Sequence, residues 1–377
     1  MKKIYFVALA IITLMLAGCS FFGNTPETSA TKLYPAMDPS AENWGYIDNK
    51  GNFVISPIFD DVEGFSCGYA IVEMDDEQKF IDKKGAFQTT SLFDKATSFY
   101  YGYSTIRLDG SYGLMSKQFD MAIQPYFYYL GLMGDNGLVA AKRSSDSKYE
   151  YVNAKGETKI PAMYNGCDNF KDGIAIVTIG SKYGAINASG AFTIQPIYED
   201  GLWNMGKGLV GFRDKNGKYG FMDKNGNSVV PAMYHALGSV SEGMIYFAGK
   251  NKYGYLNVKG EIVIPEMYYT VWPFYEGLAW VKQDEDSKCY QCIDKNNQVI
   301  FRLGENEYPT TGFHNGLALV RTEDGYKYIN KEGALVYSWS YKNDPYWAPQ
   351  KAAKATEWGV LDADKTDMTL HFDSRKL

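Results

Sequence analysis

The sequence predicts an all-β protein: an array of about ten three-stranded antiparallel meander repeats of about 35 residues each. Three observations carry that prediction. A short aromatic-Gly-aromatic-aliphatic-Asx segment recurs along most of the chain. A turn and a second apolar run ending near a proline follow it in most copies. A third segment, Phe-x-x-Gly followed by alternating small and β-branched residues, completes the period. Self-similarity at such a period marks one continuous stacked body, so the 377 residues need not divide into several domains.

The first strand is Trp44-Gly45-Tyr46-Ile47-Asp48, and its leading position returns at Gln78, Tyr112, Tyr149, Tyr183, Tyr219, Tyr253, Tyr290, Tyr326 and Trp358. The alternation places 44 and 46 on one side of a strand and 47 on the other. The position three later is always aliphatic, from Ile47 through Met115 and Leu256 to Leu361. The Asp or Asn that follows bonds its own backbone two residues on and opens a turn. A glycine three residues later, as at Gly51, Gly190 and Gly226, takes the positive φ that closes a short hairpin. The second strand is expected to stop at Pro57, Pro125, Pro161, Pro196, Pro231 and Pro265, because proline cannot donate to a ladder. The third strand reads Phe65-x-x-Gly68-Tyr69-Ala70-Ile71-Val72, with counterparts ending at Val177, Val281 and Val320. One such unit cannot bury its own apolar face, so neighbours must stack.

Taken together, these motifs resemble the bacterial WG-repeat family, whose unit runs Trp-Gly-Tyr-Ile-Asp-x-x-Gly, then Val-Ile-x-Pro-x-Tyr-Asp, then Phe-x-x-Gly-x-Ala-x-Val. Gly45, Gly113, Gly184, Gly220, Gly254 and Gly359 keep the second position; Lys79, Glu150, Gln291 and Lys327 depart from it. The resemblance implies an all-β array and no single activity, and it supplies no catalytic residues. Closure is open at this stage: a propeller-like toroid or a superhelical arc is expected, with a β-solenoid as the alternative.

The N-terminus carries a different message. Lys2 and Lys3 precede an apolar run of 13 residues, Ile4 to Leu16, short for a bilayer span and suited to a signal peptide over 1–18. Leu16-Ala17-Gly18-Cys19 then resembles the lipobox of bacterial lipoproteins, which implies lipidation at Cys19. Residues 19–43 are expected to form a lipidated, flexible tether and 44–377 the array. The expected location is therefore the extracytoplasmic face of a cell membrane, or the outer membrane in a Gram-negative host.

Charge and side-chain chemistry narrow the function. With 38 basic and 44 acidic residues and a net charge of -6, no nucleic-acid partner is indicated. His235, His314 and His371 fall on no repeat column, and Cys289-Tyr290-Gln291-Cys292 lacks the further ligands of a zinc site and the βαβ context of a redox motif. Asp75-Asp76-Glu77 and Asp284-Glu285-Asp286 read as solvated hairpin tips rather than calcium loops. No cofactor or metal is expected, and the chain reads as a non-catalytic interaction platform for a protein, peptide or cell-wall glycan. The alternatives are an envelope spacer or an enzyme with an unrecognised site. Aromatics outside the repeat columns are the candidate ligand contacts: Tyr126, Tyr128 and Tyr129 in one cluster, Trp339, Tyr341, Tyr346 and Trp347 in another.

Overall fold

The computed structural model describes residues 32–40, 43–88 and 93–340. These residues contain strands and no helix, arranged as nine small antiparallel sheets, each contiguous in sequence. The aromatic-Gly segments form the third strand of successive sheets, or blades: Trp44–Ile47 (in third position by analogy, the middle of three strands in this blade), Glu77–Asp82, Ser111–Ser116, Tyr149–Asn153, Lys182–Asn187, Tyr219–Asp223, Tyr253–Asn257, Gln291–Asp294 and Gly325–Asn330. The Trp358 copy and the segment 341–377 lie outside the described residues.

The blade is not the sequence repeat. Blades 3 to 9 have four strands, the first mostly a two-residue segment such as Gly166–Cys167. The Phe-x-x-Gly strand that ends one repeat forms the second strand of the next blade, as Ile174–Ile179 pairs with Lys182–Asn187. Each repeat thus straddles two blades, and the expected three-stranded unit is corrected accordingly. Tyr34–Met37, inside the stretch expected to be a tether, pairs with Trp44–Ile47 and begins blade 1. Its four residues are buried, so the array starts before residue 44.

The hairpins between third and fourth strands follow the expected turn chemistry. The Asp48 carboxylate accepts from the amides of Lys50 and Asn52, and Asp223 accepts from Asn225 and Asn227. The prolines behave differently from expectation. Pro57 lies within the strand Phe53–Phe59, which runs on past it. Trp44 faces Phe59 and Tyr46 faces Ile55, so two residues of the third strand oppose four of the fourth. The excess is a bulge on an edge strand, where proline is tolerated. The bulge explains the glycine column. A Cβ at Gly45 would lie 2.5 Å from the Ile55 carbonyl oxygen and 2.8 Å from the Pro57 nitrogen, closer than any side chain allows. Gln291 and Lys327 carry side chains because their fourth strands lack both the proline and this excess: Gln291 faces Arg302 and Lys327 faces Ser338 in plain register.

Apolar clusters sit between neighbouring blades all the way round. One joins blades 4 and 5 through Tyr151, Tyr164, Phe170 and Val177. Another joins blade 9 to blades 1 and 2 through Tyr328, Trp339, Trp44 and Val72. The ring is therefore closed, a nine-bladed β-propeller. Its seam repeats the contacts found elsewhere. The hydroxyls of Tyr46, Tyr151 and Tyr255 each donate to a backbone carbonyl 17 residues on, in the next blade. Tyr328, in the same column, donates to Pro35 of blade 1 at 3.0 Å. Burial holds all four phenols far above their ordinary pKa, so they remain donors. Likewise Gly190 lies against Ile160 of the preceding blade, and Gly51 lies against Val336.

Candidate binding surface

Successive strands alternate in direction, so the loops between second and third strands share one face of the ring with the connections from blade to blade. On that face one column decides the local geometry. In three blades the residue after the aromatic that follows the preceding hairpin caps the next blade's loop. Asp60 accepts from the Asp75 amide at 3.0 Å, Asp94 from Asp109 at 3.0 Å, and Asn165 from Gly180 at 2.8 Å. At two places the column holds tyrosine instead, Tyr128 and Tyr269. There the loops are longer and cap themselves. Ser147 Oγ accepts from the amides of Arg143 and Ser144, and Ser287 Oγ accepts from Asp284. Lys142 Nζ lies 5.8 Å from the Tyr128 ring centre, and Lys282 Nζ lies 5.9 Å from that of Tyr269.

The two sites diverge in charge. The Tyr269 hydroxyl donates to Glu285 of its own loop, within the acidic run 284–286. The blade 4 site keeps its aromatics open, with Tyr126 48% and Tyr128 55% exposed. The Arg143 guanidinium sits 5.9 Å from the Tyr126 ring and 5.0 Å from that of Phe127. Arg143 is anchored from beneath by Glu150 at 2.6 Å, and Thr158 donates to the same carboxylate at 2.7 Å. Glu150 is buried, and the ion pair is what makes its charge tolerable there. The result is a pair of exposed phenol rings flanked by two cations, a surface suited to stacking and to hydrogen bonding with a polar ligand.

Of the residues expected from the sequence, Tyr126 and Tyr128 stand on this surface. Tyr129 is half-buried between Tyr112 and Tyr149. Trp339 is only 6% exposed and packs against Trp44, Tyr326, Tyr328 and Tyr337 at the seam, which removes it from any exposed patch. Tyr341, Tyr346 and Trp347 lie outside the described residues, as do Cys19 and His371. Lys142, Arg143 and Glu150 were missed. Two departures from the repeat marked them: tyrosine at 128 where Asp60, Asp94 and Asn165 stand in other copies, and glutamate at 150 in the glycine column.

Other reactive groups are scattered. Cys289 and Cys292 are free thiols rather than a disulfide. Burial pushes the Cys292 thiol up to about 12. His235 Nε2 lies 2.6 Å from Lys218 Nζ, and His314 packs on the Tyr275 ring. Asp75 and Asp76 form an exposed hairpin tip, both at positive φ.

Comparison with known proteins fits this geometry. The family described as WG containing repeat matches residues 44–77, 80–112, 151–183, 183–219, 219–252 and 253–285, together more than half of the chain. The chain belongs to the WG-repeat family. No curated protein matches it. Among solved structures it is similar to one titled as the eukaryotic initiation factor, with a TM-score of 0.58 at 12% identity, covering 83% of this chain and 96% of that one. It also matches BamB from Moraxella catarrhalis, with a TM-score of 0.37 at 11% identity over 72% of this chain and 85% of that one. The C-terminal WD40 domain of Sif2 matches with a TM-score of 0.38 at 9% identity, over 64% and 84% respectively. At such identities the first likeness speaks for the shared fold alone.

Proposed function

We propose that this WG-repeat propeller is an exported, lipid-anchored interaction platform, non-catalytic, whose ligand docks on the blade 4 surface around Tyr126, Tyr128, Lys142 and Arg143. Leu16-Ala17-Gly18-Cys19 behind the apolar run Ile4–Leu16 supports the anchor. Acyl chains stabilise membrane attachment by about 0.8 kcal/mol per buried CH2, so two or more on Cys19 would hold the ring at the membrane. The platform reading rests chiefly on one observation: the loop around Tyr128 lacks the Asp or Asn cap seen in blades 2, 3 and 5 and presents two open aromatics with an arginine fixed from below. A protein, peptide or cell-wall glycan of the envelope is the class of partner such a surface suits.

Two experiments test this. In cells given labelled fatty acid, the Cys19→Ser chain should carry no label and leave the membrane fraction; normal acylation would sink the anchor. The chain from Ser20 onward is then titrated with purified wall glycan and with envelope protein fractions. Saturable binding that Tyr128→Ala weakens at least tenfold supports the platform. Binding to neither pool would favour a spacer role.

A further inference from the structure

The ring face that carries the blade 4 surface is divided by charge. The loops between second and third strands set the sign. Arg143 and Lys148 in blade 4, Lys182 in blade 5, Arg213 and Lys215 in blade 6 and Lys250 in blade 7 are exposed on or beside these loops. Other blades carry acidic runs there: 284–286 in blade 8, Glu323-Asp324 in blade 9 and 75–77 in blade 2. Blades 4 to 7 are neighbours, joined by the apolar clusters between them. The cations therefore form one arc, and the acidic runs occupy the rest of the ring.

The arc is not neutralised from within. Ion pairs tie Arg143 to Glu150, Lys182 to Glu199 and, at the arc's end, Lys252 to Asp284. Lys148, Lys215 and Lys250 form none among the described residues. Asp146, Glu199, Asp200 and Glu266, which lies over Gly249, are the exposed carboxylates beside them and are outnumbered. Asp214 is occupied in its own loop, accepting from the amides of Asn216 and Lys218 at 2.9 and 2.8 Å. Loop architecture does not impose the sign. Blades 4 and 8 share the self-capped loop, with a lysine beside a tyrosine ring in each, yet the blade 8 tip is acidic.

Exposed ion pairs are weak singly, and salt screens them beyond about 8 Å at physiological ionic strength. A small anion meeting one tip gains little, whereas a chain lying across four blades sums their contributions. At the blade 4 end, Tyr126 and Tyr128 offer open rings on which a sugar can stack and hydroxyls to which it can bond. The acidic runs on the rest of the face oppose a long, densely charged strand such as nucleic acid. Resting on the blade 4 docking surface proposed above, we propose that its ligand is an anionic glycan, bearing carboxylate or phosphate groups, laid along the arc from blade 4 to blade 7. Sugar rings stack on the two tyrosines, and the acid groups meet Lys148, Lys182, Lys215 and Lys250.

Titration of the full mature chain with polygalacturonate, phosphorylated dextran and plain dextran tests this. A charged glycan should bind saturably, at least tenfold tighter than plain dextran, and lose affinity as salt rises. Whichever of the two binds identifies the acid group. Lys215→Glu with Lys250→Glu, on blades other than that of the tyrosines, should weaken binding at least tenfold. Asp76→Lys with Asp324→Lys shifts the net charge equally far the other way and should change affinity less than twofold. Equal and opposite effects of the two pairs would reduce the arc to net charge and overturn the proposal. Weakening by Tyr128→Ala but not by the lysine pair would overturn it too, while leaving the blade 4 surface standing. So would binding to none of the three, or tighter, lysine-dependent binding of a single-stranded oligonucleotide.

Discussion

Blades 8 and 9 solve the same packing problem as blades 1 and 3 to 7 by another route. In the bulged blades a glycine lets the fourth strand swing close over the third, and proline fixes the swing. In blades 8 and 9 the fourth strand is in register opposite this column, where the third carries Gln291 or Lys327. The latter blades add charged ties. Lys295 reaches Glu242 of the preceding blade at 3.1 Å, and Lys331 reaches Glu276 at 3.0 Å. The glycine and the proline are therefore one structural device, present or absent together. Blade 4 is the exception, with Pro161 and its bulge opposite Glu150.

The largest test of that difference is a single methyl group. A Cβ at Gly220 would lie 2.6 Å from the Val230 carbonyl oxygen and 2.7 Å from the Ala232 nitrogen, backbone on both sides. Gly220→Ala should cost about 3 kcal/mol. Gln291→Ala, with no bulge above it, should stay within about 0.5 kcal/mol. Calorimetric melts of the two variants decide the matter, and equal shifts would refute the pairing of glycine with the bulge.

A smaller effect probes whether the seam is an ordinary interface. Tyr328→Phe removes a hydroxyl bonded to Pro35 across the join, and Tyr151→Phe removes its counterpart between blades 4 and 5. Each should cost about 1 kcal/mol. Urea denaturation that registers Tyr151→Phe but not Tyr328→Phe would mean that the ring opens at blades 9 and 1 in solution.

Much of this architecture was legible in the sequence. The aromatic and aliphatic columns announced the strands, and Asp48 and Asp223 announced the hairpins, because each rests on contacts within a few residues. Closure was not legible. It depends on Tyr34, Trp44, Tyr328 and Trp339 meeting across nearly the whole chain, and nothing local distinguishes a seam from an open end. For the same reason Trp339 read as a free aromatic. The blade 4 surface was half legible: Tyr126 and Tyr128 stood off the core columns. Arg143 and its buried partner Glu150 became meaningful only once the loop was seen to lack an Asp or Asn cap.

The smallest effect concerns the turns that touch from blade to blade. Three carboxylates accept from the turn glycine of the next blade: Asp135 from Gly173, Glu242 from Gly277 and Glu276 from Gly316. Glu242 and Glu276 have their lysines. Asp135 keeps one oxygen buried without a hydrogen-bond partner. Burial raises its pKa, and the nearby Asp172 pushes the same way. A carboxyl raised in the folded state contributes stability below its unfolded pKa of 3.8 and loses it as pH climbs through the higher folded value. Asp135→Asn keeps an acceptor for Gly173 and removes the charge. Its melting temperature should match that of the unaltered chain near pH 4 and exceed it by about 1 °C at pH 7. Glu276→Gln should lower the melting temperature at pH 7, because Lys331 then loses its charged partner and keeps only the Glu276 backbone carbonyl. If Asp135→Asn also lowered it at pH 7, the carboxylate would have to be satisfied by a cation, and the two halves of the ring would be closer in design than their lysines suggest.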